Sequence, residues 1–440
     1  MDLLSLIPSF GGVLFTLAAF FVALLIIVFV HEYGHYIVGR WTGIKAEVFS
    51  IGFGPVLWSR PDKHGTRWQI AAIPLGGYVK FLGDGDAASV SRGADVPASE
   101  ARASVHSAPL WARSATVAAG PLFNFALSII VFAGLVMVRG VATDPLTVAD
   151  LPPTPYVQNL AIGDQIVGIE GQETPALEEF GLFANELPVQ SFVKYDVLRD
   201  GQLRELDALH PYPAFVASVS PESAASDAGL RVGDFIMAVG DQQMDAFSEL
   251  QAVVAAAEGE TVSLTIWRDG TEFVQELTPR RTDLPLPDGG FETRWLIGIS
   301  GGLWFVPATE ALGPWEGLKF GVNQTIFIVR SSLSGLYHMI TGAISSCNLR
   351  GPIGIAQTSG TIAAQGLTSF IGFIALLSTA VGLLNLFPVP VLDGGHLVFH
   401  AYEAITGKPP SDGALRWIMS VGLALIGTLM IFALYNDLFC

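Results

Sequence analysis

Two histidines and a glutamate, in His31-Glu32-Tyr33-Gly34-His35, are the residues whose types and spacing can do chemistry. On a helix, positions four apart lie one turn along the same face. His31 and His35 can therefore offer two imidazoles to one zinc ion while Glu32 projects beside them. Zinc at ~2.0–2.1 Å from such nitrogens asks for a third protein ligand and an open position for water, whose pKa it lowers to about 7. Glu32 is placed to take the water's proton and pass it to a leaving amine, which is peptide-bond hydrolysis. The bare pattern also occurs on ordinary solvated helices. Here that blander account must explain three ionisable groups at the end of twenty uncharged residues, Gly11 to Val30, in which Thr16 is the one polar side chain.

The third ligand should be another isolated polar group at membrane depth. After 42 residues without a formal charge, Gly351 to Leu392, comes Asp393, in Asn385-Leu386-Phe387-Pro388-Val389-Pro390-Val391-Leu392-Asp393-Gly394-Gly395-His396. An unpaired carboxylate there is costly, so a neighbouring cation accounts for it economically. The competing account is an interfacial acid facing water. His396 and His400 repeat the four-residue spacing and are alternative ligands, although each is more often a helix-packing residue; Asp393 is preferred.

The elements that must hold these groups are membrane spans. With 51% hydrophobic residues in 440, the chain is too apolar for an ordinary soluble protein. Four stretches are long enough to cross a hydrocarbon core: Gly11 to Val30, Ser114 to Val138, part of Gly351 to Leu392, and Trp417 to Asn436. The first lacks a basic leader and a small-residue cleavage site, so it is read as a span and not a signal peptide. Gly39 to Arg113 carries nine basic residues against six acids, and the link between spans three and four has Lys408 and Arg416. The positive-inside rule puts both on the cytoplasmic side and sends both termini and Arg139 to Arg350 to the other. That outer segment holds 28 acids and 12 bases, a balance of −16 out of the chain's −17, which argues against nucleic-acid binding. Two cysteines, Cys347 and Cys440, rule out a Cys-rich zinc site. A single bridge is chemically open to them, but two unrelated free thiols is the blander expectation.

Between the first spans, about residues 46–82 read as short β-prone runs punctuated by Gly and Pro, hence a hairpin or small sheet. Asp84 to Ser107 has no periodicity and reads as a loose loop. The outer segment repeats itself. Gly163-Asp164-Gln165-Ile166 recurs as Gly233-Asp234-Phe235-Ile236, and Arg199-Asp200-Gly201 recurs as Arg268-Asp269-Gly270, about 70 residues on. Two small β-rich domains are expected in tandem, at 141–210 and 211–283. The second, with Asp227-Ala228-Gly229-Leu230 and a helix-like Ser248 to Ala257, resembles a bacterial PDZ domain; the first lacks a clear counterpart of the Ala-Gly-Leu turn. Residues 284–350 are expected as linker plus a helix over Trp315 to Ile344, which Lys319, Asn323, Gln324, Arg330 and His338 interrupt. A fifth span is one reading of it, and an amphipathic helix on the outer membrane surface or clamping the domain pair is preferred. Residues 1–140 and 351–440 carry the spans.

The His-Glu-x-x-His motif, Asn385 to Gly394 in the third span, Gly120-Pro121-Leu122-Phe123-Asn124 in the second and a PDZ pair between them resemble the site-2 protease family over nearly the whole chain. The resemblance implies a polytopic α-helical membrane protein of four transmembrane helices, with a cytoplasmic-side membrane-associated β-sheet and two tandem periplasmic PDZ domains. It implies one Zn2+ per chain on His31, His35 and Asp393, Glu32 as catalytic acid/base, and Asn385 on the substrate backbone. Gly52-Phe53-Gly54 and Gly76-Gly77-Tyr78 would form the β-structure that pairs with an unwound substrate, although a plain turn explains Gly76-Gly77 equally well. Pro388 and Pro390 free backbone groups or merely kink a helix, and Gly120, Pro121 and Asn124 support the site or merely let helices pack.

The expected protein is an endopeptidase of the bacterial inner membrane, with its active site toward the cytoplasm. Its partners would be the lipid bilayer and single-pass substrates such as a pre-cut anti-sigma factor or remnant signal peptides, with no nucleic acid. The PDZ pair would either capture new C-termini or filter substrates by size. A non-catalytic PDZ adaptor is disfavoured by an intact Glu32. A transporter is disfavoured by the lack of inverted repeats.

Overall fold

A computed structural model describes residues 12–84, 103–221, 223–286 and 291–439, which leaves most of the expected Asp84 to Ser107 loop and Cys440 outside the described residues. The helices are α1 (Val13–Trp41), α2 (Leu110–Arg139), α3 (Leu177–Glu186), α4 (Ala224–Asp227), α5 (Phe247–Ala256), α6 (Pro314–Ile340), α7 (Pro352–Ala364), α8 (Leu367–Asn385), α9 (Asp393–Thr406) and α10 (Asp412–Phe439). The chain forms two compact units, Met1–Leu135 with Pro314–Cys440, and Val136–Gly313.

In the first unit, α1, α2, α8 and α10 are long and apolar enough to cross a membrane. The metal motif lies inside α1, which runs without a break eleven residues past Val30. Small residues let the helices touch: a Cβ on Gly34 would meet the Ala119 carbonyl, one on Gly382 the Pro121 carbonyl, and one on Gly360 the Thr16 side chain. The helix expected over Trp315 to Ile344 is α6. It buries Gly317, Gly321, Thr325 and Ile328 along one face, and Gly321 presses on the Ile129 carbonyl of α2. A contact that close explains how a helix carrying Lys319 and Arg330 joins this unit. Asp437, at the end of α10, accepts the backbone N–H groups of Gly351 and Ile353 and so caps α7 with negative charge. Cys347 is disulfide-bonded, which overturns the expectation of two free thiols.

The expected hairpin is β1 (Ala46–Pro61) with β2 (Arg67–Phe81). Both strands fold over on themselves. Phe49 pairs with Trp68 on one side and Val79 on the other, while Trp58 pairs with Ile70. The result is a small sheet in which residues 77–81 form one edge and 56–61 the opposite one. Gly52 sits at the bend with φ +87°, where a Cβ would strike the Ile73 carbonyl. Asp62 closes the β1–β2 turn by accepting from His64 and Thr66, and from Tyr36 of α1 and Trp68, which pins the sheet to the metal helix.

The second unit obeys the repeat. Strand Gln165–Ile169, α3 and strands Phe192–Arg199 and Gln202–Leu209 recur as Phe235–Val239, α5, Val262–Arg268 and Thr271–Leu277, all about 70 residues on. Helix α4, capped by Ser223, belongs to the second copy alone. The copies do not simply follow one another. Ile299–Ser300 pairs with Ser218–Val219 of the second copy, after which Val306–Pro307 returns to pair with Leu146–Asp150 of the first. Trp304 and Phe305 are buried in the first copy's core. The second copy is thus inserted within the first, and the stretch expected as linker from residue 284 supplies strand Phe291–Leu296, which pairs with Arg280–Pro285, and strands for both copies. Burial of Trp304 and Phe305 gives the returning chain its reason to dock.

Candidate metal centre

Glycine brings the three expected ligands together. A Cβ on Gly120 of α2 would stand 2.3 Å from His35 Nε2 and 2.8 Å from His31 Cε1, so that position must be bare for the imidazoles to fit. Beyond Asn385, where α8 ends, the chain makes a tight loop over 386–392 and re-enters a helix at Asp393, in the first turn of α9. Gly394 lies against the Leu386 and Phe387 carbonyls and Gly395 against that of Val389, so no side chain fits at either position. Pro388 and Pro390 stand in this loop and end the helix, as proline's missing N–H requires.

His31 Nε2 is 3.1 Å from His35 Nε2, and Asp393 Oδ2 is 3.1 Å from the first and 3.5 Å from the second. A tetrahedral zinc site with bonds of ~2.0–2.1 Å has ligand–ligand edges of about 3.3–3.4 Å. The donor triangle therefore has the dimensions such an ion needs. Asp393 Oδ2 is buried and takes no well-directed hydrogen bond. His35 Nδ1 stands 2.8 Å from the Thr116 carbonyl, an acceptor only, so its proton is on Nδ1 and its Nε2 lone pair faces the group. Two imidazoles and one carboxylate, with an orphaned oxygen among them, can hold a metal ion.

Glu32 lines a cavity of about 600 Å³ together with His31, His35, Asp393, Gly77, Tyr78 and Asn385. Gly77 approaches so closely that a Cβ there would stand 3.1 Å from Glu32 Cγ and 3.0 Å from Val28. Val79 supplies Glu32 with a backbone hydrogen bond. The edge of the sheet at 77–81 thus runs past Glu32. Gly76 packs on the Phe53 ring, and Gly52, Phe53 and Gly54 are outside the cavity lining. Pro121 lies within α2, and Asn124 touches His31.

Some residues on the cavity wall carry no signal in the sequence. Arg113 of α2 makes a two-point ion pair with Glu403 of α9, at 3.0 and 2.6 Å, and Ser114 Oγ is 3.2 Å from His400 Nδ1. In the sequence Arg113 bears only on the orientation of the chain, because nothing in one dimension marks a partner 290 positions away. His396 and His400 line the cavity, but neither belongs to the metal group found among the described residues.

A family model described as Peptidase family M50 matches residues 19–429. The regulator of sigma E protease of Haemophilus influenzae is 34% identical over 96% of this chain and 98% of its own length. Protease RseP of Yersinia pestis is 34% identical over 97% of this chain and 99% of its own. A protein of Agrobacterium fabrum named as a zinc metalloprotease is 36% identical over 95% of this chain and 94% of its own length.

Proposed function

The chain belongs to peptidase family M50, the site-2 proteases, and from that membership and the metal centre we propose that it is an intramembrane zinc endopeptidase cutting single-pass proteins in or near their membrane span. That it is a zinc metalloprotease follows from the family and its named relatives. The further assignments are our reading. His31, His35 and Asp393 hold the zinc, and Glu32 moves the proton.

The observation that carries this is the donor triangle of 3.1, 3.1 and 3.5 Å around an unsatisfied carboxylate oxygen, in one cavity with Glu32. Zinc supplies the Lewis acidity with which water attacks a peptide carbonyl near neutral pH. Glu32 accepts the proton of the attacking water and delivers it to the leaving nitrogen. Asn385, on the same wall, holds the substrate backbone. A transmembrane helix hides its amides, so the substrate must be unwound. The edge at 77–81 offers a strand for the extended segment to pair with, and Gly76, Gly77 and Tyr78 let it lie close to Glu32. Gly52, Phe53 and Gly54 serve this edge indirectly, by bending the sheet. The outward Val56, Leu57, Trp58, Ile73 and Leu75 are exposed apolar side chains that suit a sheet resting in lipid.

The basic loops support an orientation with the metal centre toward the cytoplasm and both termini and the β-rich unit in the periplasm of a bacterial inner membrane. A disulfide at Cys347 fits an oxidising outer side. The two β copies are read as PDZ domains that admit or recognise substrate. By analogy with the sigma E relatives, a membrane-bound anti-sigma factor already shortened outside is the substrate to try first.

The test is purified protein in detergent, with zinc per chain and cleavage of a single-pass substrate compared between wild type and Glu32→Gln. About one zinc in both proteins, with cleavage lost in the variant alone, is expected. Equal cleavage by both would remove the proposal.

A further inference from the structure

The two imidazoles of the metal centre are held from behind by different means. His35 Nδ1 faces a backbone carbonyl, that of Thr116. His31 Nδ1 faces a side chain, the amide of Asn124, whose Nδ2 is 3.3 Å away. Asn124 is fully buried and its Oδ1 has no hydrogen-bond partner. The residue cannot drift. Its carbonyl accepts Ser128 Oγ at 3.0 Å and Ser378 Oγ of α8 at 2.9 Å, and Gly382 packs against its Cβ. A metal ligand needs its lone pair on Nε2, which requires the proton on Nδ1 and an acceptor opposite. The two ends of an amide exchange by a half turn that leaves the shape unchanged, and no other bond holds Oδ1 against that turn.

Resting on the zinc reading above, we propose that Asn124 is a positioning residue: its Oδ1 accepts from His31 Nδ1–H and fixes the tautomer that presents Nε2 beside Asp393. It does for His31 through a side chain what Thr116 does for His35 through the backbone. Of the two contacts that back the imidazoles, it is therefore the one that mutation can reach. Gly120, one turn earlier, leaves room for the rings, so α2 both accommodates and orients the ligands carried by α1.

The test uses full-length protein in detergent, with Asn124→Asp, which can only accept, and Asn124→Leu, of similar size and unable to do either. Two readouts are taken: the rate at which a chelator strips zinc, and the ring N–H signals of 15N-histidine-labelled, zinc-loaded protein. Asn124→Leu should lose zinc about 10–100-fold more readily, while Asn124→Asp retains it. The Nδ1–H signal of His31 should move upfield in the leucine variant, which offers no acceptor, and downfield in the aspartate variant, with that of His35 unchanged in both. Where the leucine variant does not fold, the aspartate spectrum decides alone, and an unmoved His31 signal overturns the proposal. Wild-type stripping by Asn124→Leu also overturns it and leaves the zinc reading standing. A wild-type protein without zinc sinks both.

Discussion

Asp164 and Asp234 in the β-rich unit and Asp393 in the helical unit are all concealed carboxylates, and they differ in what stands opposite them. Asp164 receives Arg199 Nε and an Arg199 terminal nitrogen at 2.6 Å each and the Ala161 amide at 2.8 Å. Asp234 repeats this with Arg268 at 2.6 and 2.7 Å and the Arg231 amide at 2.8 Å. Each arginine also reaches a nearby carbonyl, of Asn159 and Gly229 respectively. Asp393 has two imidazole nitrogens within 3.5 Å and no donor for Oδ2. The protein itself neutralises the first two acids. It leaves the third to something it must bind. A buried acid that is fully answered is structural, because answering it fixes a turn against a strand. One left unanswered is held in that state by function, since folding alone would have replaced it.

The largest expected effect breaks that contrast from both ends. Asp393→Asn should remove zinc and lower cleavage by about 10³-fold, several kcal/mol of transition-state stabilisation, while the metal-free protein unfolds within about 1 kcal/mol of metal-free wild type. Asp164→Asn should do the reverse. Stability should fall by about 2–4 kcal/mol, because Arg199 and the Ala161 amide lose a charged partner, and the remaining folded protein should keep its zinc. Zinc analysis and chemical denaturation of both variants check this. Loss of zinc in the Asp164 variant would erase the distinction.

A middle effect concerns the two arginine clamps. Arg199→Met and Arg268→Met should cost similar stability, about 1–3 kcal/mol each, since the geometries match. The Arg199 clamp also makes the β-rich unit acid-sensitive in a defined direction. Burial pushes the Asp164 carboxyl up, but Arg199 and the Ala161 amide outweigh it and hold the group below its ordinary range. A depressed folded-state pKa gives stability that is present above the unfolded value of about 3.9 and is lost as pH falls through the folded value. Acid denaturation below about pH 4 should therefore be shallower in Arg199→Met. A profile as steep as wild type would show that the clamp does not set it.

What the sequence disclosed follows from what one dimension can carry. An acid after 42 uncharged residues is visible without a structure, and so is an i, i+4 histidine pair at the end of an apolar run. The 70-residue repeat was visible too, including the Gly-Asp and Arg-Asp-Gly stretches that become the two clamps. Nesting of the copies was not. It rests on two-residue strands at Ile299–Ser300 and Val306–Pro307, too short for any periodicity, pairing with strands about 80 and 160 positions earlier. Glycines misled for a related reason. Gly52 and Gly77 look alike in sequence, yet the first bends a strand and the second lets a strand touch Glu32. The backing of His35 by Thr116 is unreadable in sequence because its contribution is a carbonyl, which every residue has.

The smallest effect separates pairing from location. Glu403 lines the same cavity as Asp393, and both side chains are 18% exposed, but Glu403 has a two-point partner in Arg113. If burial near the metal group were what made an acid functional, Glu403→Gln would strip zinc as Asp393→Asn does. If the missing partner is the determinant, Glu403→Gln should leave about one zinc per chain. Its stability cost should stay near 1 kcal/mol, because the pair is partly open to water and a glutamine can still accept from Arg113. Zinc content and the denaturation midpoint, measured beside the Asp393 variant, decide between the two. A Glu403 variant without zinc would mean that position within the cavity, and not an unanswered charge, marks the acid that matters.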